Sequence, residues 1–359
     1  MQEPADAAVV GRRLFVGLQE LSSDLEVLDT SGTWVVVLPF DAPPTLARFA
    51  RSQPVAPTVT RRVPDVGPSG PRRPWRSSLG REAFRKGVTR LREGIGAGDY
   101  YQVNLCRRLE RPLPSGFDPM ALGAALERHN PAPYRAVVRL PSAGVLVASA
   151  SPERFLFRRD DVVVSEPIKG TAATPAGLRP KDVAENVMIV DLVRNDLGRV
   201  CRYGTVEVPS LCRSEPHPGL SHLVSTVRGR LRPGAGWREL LGATFPPGSV
   251  TGAPKLAALE ALRSLEPVPR GVYCGAVGWV DADRRTADLN VAIRTFWAEE
   301  GMLRLGTGAG ITWDSDPSQE WDETALKAAR LLAVADTTYP DGGSGGRGPQ
   351  DPRARQDRR

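Results

Sequence analysis

The chain has 359 residues, 41% of them hydrophobic and 25% charged, which is the composition of a globular protein with a large core. Its formal net charge of +7 suggests a nucleic-acid partner until the charge is located. Residues 51–76 carry six arginines against Asp65, and residues 340–359 carry five against three aspartates; both stretches are rich in Pro and Gly and read as a solvated loop and a disordered tail. The remainder is close to neutral, so neither nucleic acid nor a membrane is an expected partner. The four cysteines form no CxxC pair, the N-terminus MQEPADAAVV lacks a basic-then-apolar leader pattern, and the longest apolar run, WVVVLPF, is too short to span a bilayer. A cytoplasmic location is expected.

In chain order, LFVGL and WVVVLPF predict two short strands, followed by a Pro/Arg linker to about Trp75. Phe84, Val88, Leu91 and Ile95 recur at helical spacing, and Gly96 and Gly98 stop that helix. Strands are expected at 100–110, 133–140, 144–150, 154–158 and 161–166, and helices at 117–129, 181–198, 236–243, 253–265 and 317–335. Further strands fit 204–208, 222–230, 272–281, 286–297 and 302–307. Strands and helices do not alternate one for one, so an α+β fold with mostly antiparallel sheets is expected. The division is a short N-terminal region and linker (1–75), a catalytic domain (76–335) and a tail (336–359).

Two carboxylate pairs stand at the starts of predicted helices. Asp182 and Glu185 are three residues apart, as are Glu320 and Glu323, and an i, i+3 pair shares a helix face. Oxygen ligands alone would select a hard cation such as Mg²⁺. The same spacing also suits acidic residues that merely complement a helix dipole. GTGAG (306–310) is not a dinucleotide fingerprint, although its backbone could bring N–H groups to a carboxylate. GSVTGAPK (248–255) is not a P-loop, and His222 opens an apolar strand.

Lysine is scarce: positions 86, 169, 181, 255 and 327 hold all five. Arginine can replace lysine where only charge is needed, but it cannot supply a deprotonated amine. Lys169, within EPIKGT, is either a leftover of this bias or a position that needs an amine able to lose its proton.

SPERF (151–155), EPIKGT (166–171), AENVMIVDLVRNDLGRV (184–200), SHLVSTV (221–227), FPPGSVTGAPK (245–255), YCGAVGWVD (273–281), VAIRT (291–295), GTGAGI (306–311) and QEWDETALKA (319–328) occur in the order and spacing of the chorismate-utilising enzymes. The chain resembles that family over about residues 76–335. The resemblance implies large sheets flanked by helices, with chorismate and Mg²⁺ bound between them. Glu185 and Glu323 match metal ligands, with Asp182 and Glu320 beside them. Thr171, His222, Tyr273, Arg294, Lys327 and the backbone of Gly308, Ala309 and Gly310 match substrate-binding positions.

The water-using branches of the family place a lysine base where this chain has Gln102, so YQVNL resembles the ammonia-using branch. Within that branch, PIKGT is similar to 4-amino-4-deoxychorismate synthase, whereas anthranilate synthases usually read PIAGT. The resemblance implies that Lys169 attacks chorismate and that Glu153 protonates the departing hydroxyl. It also implies a separate glutamine amidotransferase subunit that delivers ammonia.

Overall fold

A computed structural model describes residues 5–55, 74–172, 180–217 and 220–340. The Pro/Arg linker over 56–73 and the tail from 341 lie outside the described residues.

Among the described residues, eighteen strands join into one continuous curled sheet, and every strand pair is antiparallel. Residues 5–54 are continuous with the rest: Thr33–Leu38 pairs along its whole length with Ala276–Asp281, and Ala7–Val10 pairs with Tyr134–Leu140. The longest pairing joins Gln102–Pro112 to Met302–Ile311, from Val103↔Ile311 to Pro112↔Met302. Thr295–Glu299 and Val145–Ser151 extend the sheet beyond it. On another side, Leu220–Arg230 carries Glu207–His217, Val162–Glu166 and Ile168–Ala172.

Six helices lie against this sheet: α1 (Arg81–Ala97), α2 (Pro119–His129), α3 (Pro180–Gly198), α4 (Trp237–Thr244), α5 (Lys255–Leu265) and α6 (Pro317–Thr338). Their ends have local causes. Gly98 closes α1 at φ +86°, a conformation that costs a residue without Cβ little. Asp316 accepts from the Ser318 and Gln319 N–H groups at 2.9 Å and Pro317 fills the first helical position, so α6 starts where it does. That helix continues to Thr338 rather than ending at 335. Asp336 holds it down, bonded to Arg111 at 2.8 Å and to the Trp75 indole at 3.0 Å.

Several other expectations shift. The strand expected at 302–307 runs on to Ile311, so GTGAG lies wholly inside it. The single strand expected at 286–297 is two, Thr286–Val291 and Thr295–Glu299, broken where Arg294 takes φ +52°. Strand Glu207–His217 starts later and runs longer than the 204–208 expectation. Thr45–Pro54 and Ile168–Ala172 are strands that the pattern did not suggest.

Three apolar clusters fill the molecule. The largest lies around Trp34, Phe15 and Trp237; a second joins α2 and α6 to the sheet; a third packs α1 and α5 over Leu105 and Ile311. Phe84 of α1 is fully buried and meets Trp321 of α6 edge-on, with centroids 5.7 Å apart. This contact fixes α6, and with it the carboxylates of its first turns. Phe84→Ala should cost about 3–5 kcal/mol of unfolding free energy in urea titrations; a loss below about 1 kcal/mol would mean that α1 does not brace α6.

Candidate active site

Period-two geometry places Gly306, Gly308 and Gly310 on one face of their strand. Each glycine leaves room for a neighbour. A Cβ at Gly306 would stand 2.0 Å from the Tyr273 ring, and one at Gly308 would stand 2.8 Å from the Cys106 sulfur. At Gly310 it would lie 2.6 Å from Gln102 Nε2 and 3.7 Å from Lys169 Nζ. The strand thus presents bare backbone to a group of polar side chains. Ala309 points the other way, into the cluster beneath α1 and α5, so only its backbone remains available to a ligand.

The opposite wall is Ile168–Ala172 on Leu220–Arg230. Its register shifts between Lys169 and Thr171, where Gly170 takes φ +69°. Thr171 lies opposite His222, whose Nδ1 is 3.4 Å from the Gly170 carbonyl. Lys169 Nζ donates to the Ser249 carbonyl at 3.0 Å. Ser249 also hydrogen-bonds through its side chain to Glu153, so one residue of the FPPGS loop touches both candidate catalytic groups.

Glu153 is 4% exposed. Burial pushes its carboxyl up to about 7, against the Ser249 hydrogen bond, the Lys169 charge and the Ile168 N–H. Burial pushes the Lys169 ammonium down, opposed by Glu185, Glu153 and Glu323 and assisted by Lys327. Glu166, the carboxylate adjacent in sequence, is engaged elsewhere: it accepts from Arg154 at 2.8 Å and Tyr134 at 2.9 Å.

Arg294 is largely buried, and burial lowers its guanidinium; no carboxylate among the described residues pairs with it. A buried cation without a counter-charge is suited to an anionic ligand. The Tyr273 phenol is raised, first by burial. Lys327 Nζ lies 3.1 Å from the Gly308 carbonyl and 2.6 Å from Glu323.

The four acidic residues of α3 and α6 face one another but are not closed into a cage. Among the described residues, no group of three or more His, Cys, Asp or Glu side chains is gathered tightly enough to hold an ion. Lys181 stands between the helices instead, 3.7 Å from Glu185 and 3.7 Å from Glu320. Burial raises both carboxyls, Glu323 raises both further and Asp182 adds to Glu185. An all-oxygen donor set that draws an ammonium into its centre suits a hard cation.

Sequence reasoning did not single out Ser249 or the bridging role of Lys181. Lys255 also lies in a motif block and has a structural role: it pairs with Asp196 at 2.7 Å and donates to the Thr244 carbonyl at 3.0 Å, tying α5 to α3 and the end of α4.

The raised Glu153 carboxyl has a thermodynamic consequence. The folded protein binds this proton more tightly than the unfolded chain, so the contribution to stability is fully present below the unfolded value of 4.5 and is lost as pH rises through about 7. Relative to Glu153→Gln, the parent protein should lose on the order of 3 kcal/mol across this window in urea titrations at successive pH values. A pH-independent difference would show that the carboxyl is not shifted.

Comparisons with known proteins bear on the family and the fold. Residues 47–333 match the chorismate binding enzyme family. Aminodeoxychorismate synthase component 1 of Klebsiella aerogenes is 40% identical over 270 residues, covering 72% of this chain and 59% of that protein. Anthranilate synthase component 1 of Streptomyces coelicolor is 43% identical over 272 residues, covering 72% of this chain and 52% of that one. The chain therefore spans little more than half the length of these relatives. Among solved structures, anthranilate synthase component I of Streptococcus pneumoniae superposes with a TM-score of 0.71 at 23% identity, covering 92% of this chain and 93% of that one. The menaquinone-specific isochorismate synthase of Escherichia coli superposes with a TM-score of 0.75 at 20% identity, covering 93% and 89%. These two likenesses bear on the fold, a large antiparallel sheet carrying helices. From the family match over most of its length and from these relatives, the chain belongs to the chorismate binding enzymes.

Proposed function

We propose that this chain is the chorismate-converting component of an aminodeoxychorismate synthase, which makes 4-amino-4-deoxychorismate from chorismate and ammonia. The observation that carries this reading is the Lys169–Glu153 pair, joined through Ser249 in a buried site. An amine attacks carbon only when neutral, and a carboxyl donates a proton only when protonated. Burial favours both forms, lowering Lys169 and raising Glu153. The neutral amine and neutral acid are the same proton count as the ion pair, redistributed.

In this reading the Lys169 amine bonds to C2 of chorismate while the C4 hydroxyl takes the Glu153 proton and leaves as water. Ammonia then bonds to C4 and the C2–N bond breaks, returning the amine. Arg294, Tyr273 and Lys327 would hold the substrate's carboxylates, with Thr171, His222 and the backbone of 308–310 lining the ring. Asp182, Glu185, Glu320 and Glu323 would hold Mg²⁺, whose positive charge favours binding of a carboxylate. A separate glutamine amidotransferase subunit would deliver ammonia, in keeping with the "component 1" names of the relatives. We assign this chemistry to residues 76–335.

A second reading, anthranilate synthase component I, has its own support in the 43% identity to the Streptomyces coelicolor protein. Lys169 separates the two, because anthranilate synthases usually have alanine there. With chorismate, Mg²⁺ and ammonium salts, the expected product is 4-amino-4-deoxychorismate, seen as 4-aminobenzoate only after a lyase is added. Anthranilate would establish the second reading. Lys169→Ala should lower the rate by at least about a hundredfold with the fold retained by circular dichroism. A variant at full rate would remove the lysine from the covalent step.

A further inference from the structure

We infer that Lys181 is a tethered counter-ion for the metal site, occupying the gap between α3 and α6 until a divalent cation displaces it. The inference rests on the metal reading proposed above and concerns what sets the strength of that site.

Lys181 makes two ion pairs of different kinds. Its contact with Glu185 is within α3, at i, i+4, and forms on any helix with this spacing. Its contact with Glu320 crosses to α6, also at 3.7 Å, and has no local cause. The ammonium therefore stands between one carboxylate from each helix. The carboxylates need such a charge. Glu320 is 5% exposed and Asp182 is 9% exposed, so water does little to screen them.

A divalent ion held by these carboxylates would sit close to where Lys181 Nζ sits, and two cations cannot share that place. Lys181 has somewhere to go. Its side chain is 32% exposed, whereas Glu320 is held from behind by the Ser315 hydroxyl at 2.6 Å. The acids stay and the lysine leaves. Binding a cation then costs the two lysine contacts, which weakens affinity. In return, the site remains assembled without metal, because the lysine suppresses repulsion across the interhelical gap.

The test uses the full chain and Mg²⁺ alone, without chorismate, read by calorimetric titration and by Tm. Lys181→Met should tighten Mg²⁺ binding about tenfold, since half-exposed contacts of this kind are individually weak. Its metal-free Tm should fall by a few degrees, and saturating Mg²⁺ should restore Tm to the parent's metal-bound value. Lys181→Arg keeps the charge and should bind Mg²⁺ within about threefold of the parent. Glu320→Gln provides the control for the site itself and should abolish binding. If Glu320→Gln abolishes binding but Lys181→Met leaves it unchanged or weaker, the lysine inference is overturned and the metal reading stands. Mg²⁺ binding by Glu320→Gln equal to the parent's would overturn the metal reading and this inference together.

Discussion

The arrangement depends on one electrostatic constraint: carboxylates outnumber amines in a site that runs from the buried Glu153 to the half-exposed Glu323 and Lys327. Glu153, Asp182, Glu185, Glu320 and Glu323 interact, directly or through one another, with Lys169, Lys181 and Lys327. In ordinary ionisation states five negative charges meet three positive ones, an excess equal to the charge of one divalent ion. Moving a proton from Lys169 to Glu153 leaves that excess unchanged but relocates it: Lys169 is the leading positive charge acting on Glu185, so its neutral form leaves that carboxylate less compensated. The protonation state of the proposed catalytic pair and the pull of the α3 carboxylates on a cation are therefore coupled.

The scaffold meets this demand with rigid parts. The acids sit on the first turns of two helices, and each helix is fixed by packing remote from the charges: α6 by Trp321 on Phe84 and by Asp336 under Arg111, α3 by the Lys255–Asp196 pair. Lys169 is on a short strand whose register slips at Gly170, and Glu153 directly precedes the strand that starts at Arg154. Ser249 then joins them through groups that leave little freedom, one carbonyl and one hydroxyl.

Much of this could be read from residue patterns because it follows from local rules. Helix limits came from caps and apolar spacing, and the facing carboxylates from i, i+3 geometry. What escaped depends on tertiary context. Thr45–Pro54 lacks a clear alternation and is a strand because neighbours on both sides pair with it. Arg294 breaks a strand that its sequence would continue, since nothing local asks an arginine to adopt positive φ. Glu166 is adjacent to the lysine motif, yet the strand pleat and the Arg154 guanidinium take it away. The strand expected to end at 307 continues through all three glycines, because the partner Gln102–Pro112 pairs with it as far as Ile311.

Arg294 has a consequence for how this position can vary. Its left-handed backbone suits glycine, asparagine or aspartate, none of which carries a positive charge, while the substrate-binding role proposed for it would require a cation. The conformational preference of the chain and the recognition task pull towards different residues. An arginine here bears strain of order 1 kcal/mol, and its side chain finds no partner within the described protein that would compensate. Under the proposed function a substrate carboxylate would supply that counter-charge, so replacing Arg294 by glycine would relieve the backbone and remove the recognising cation in one step.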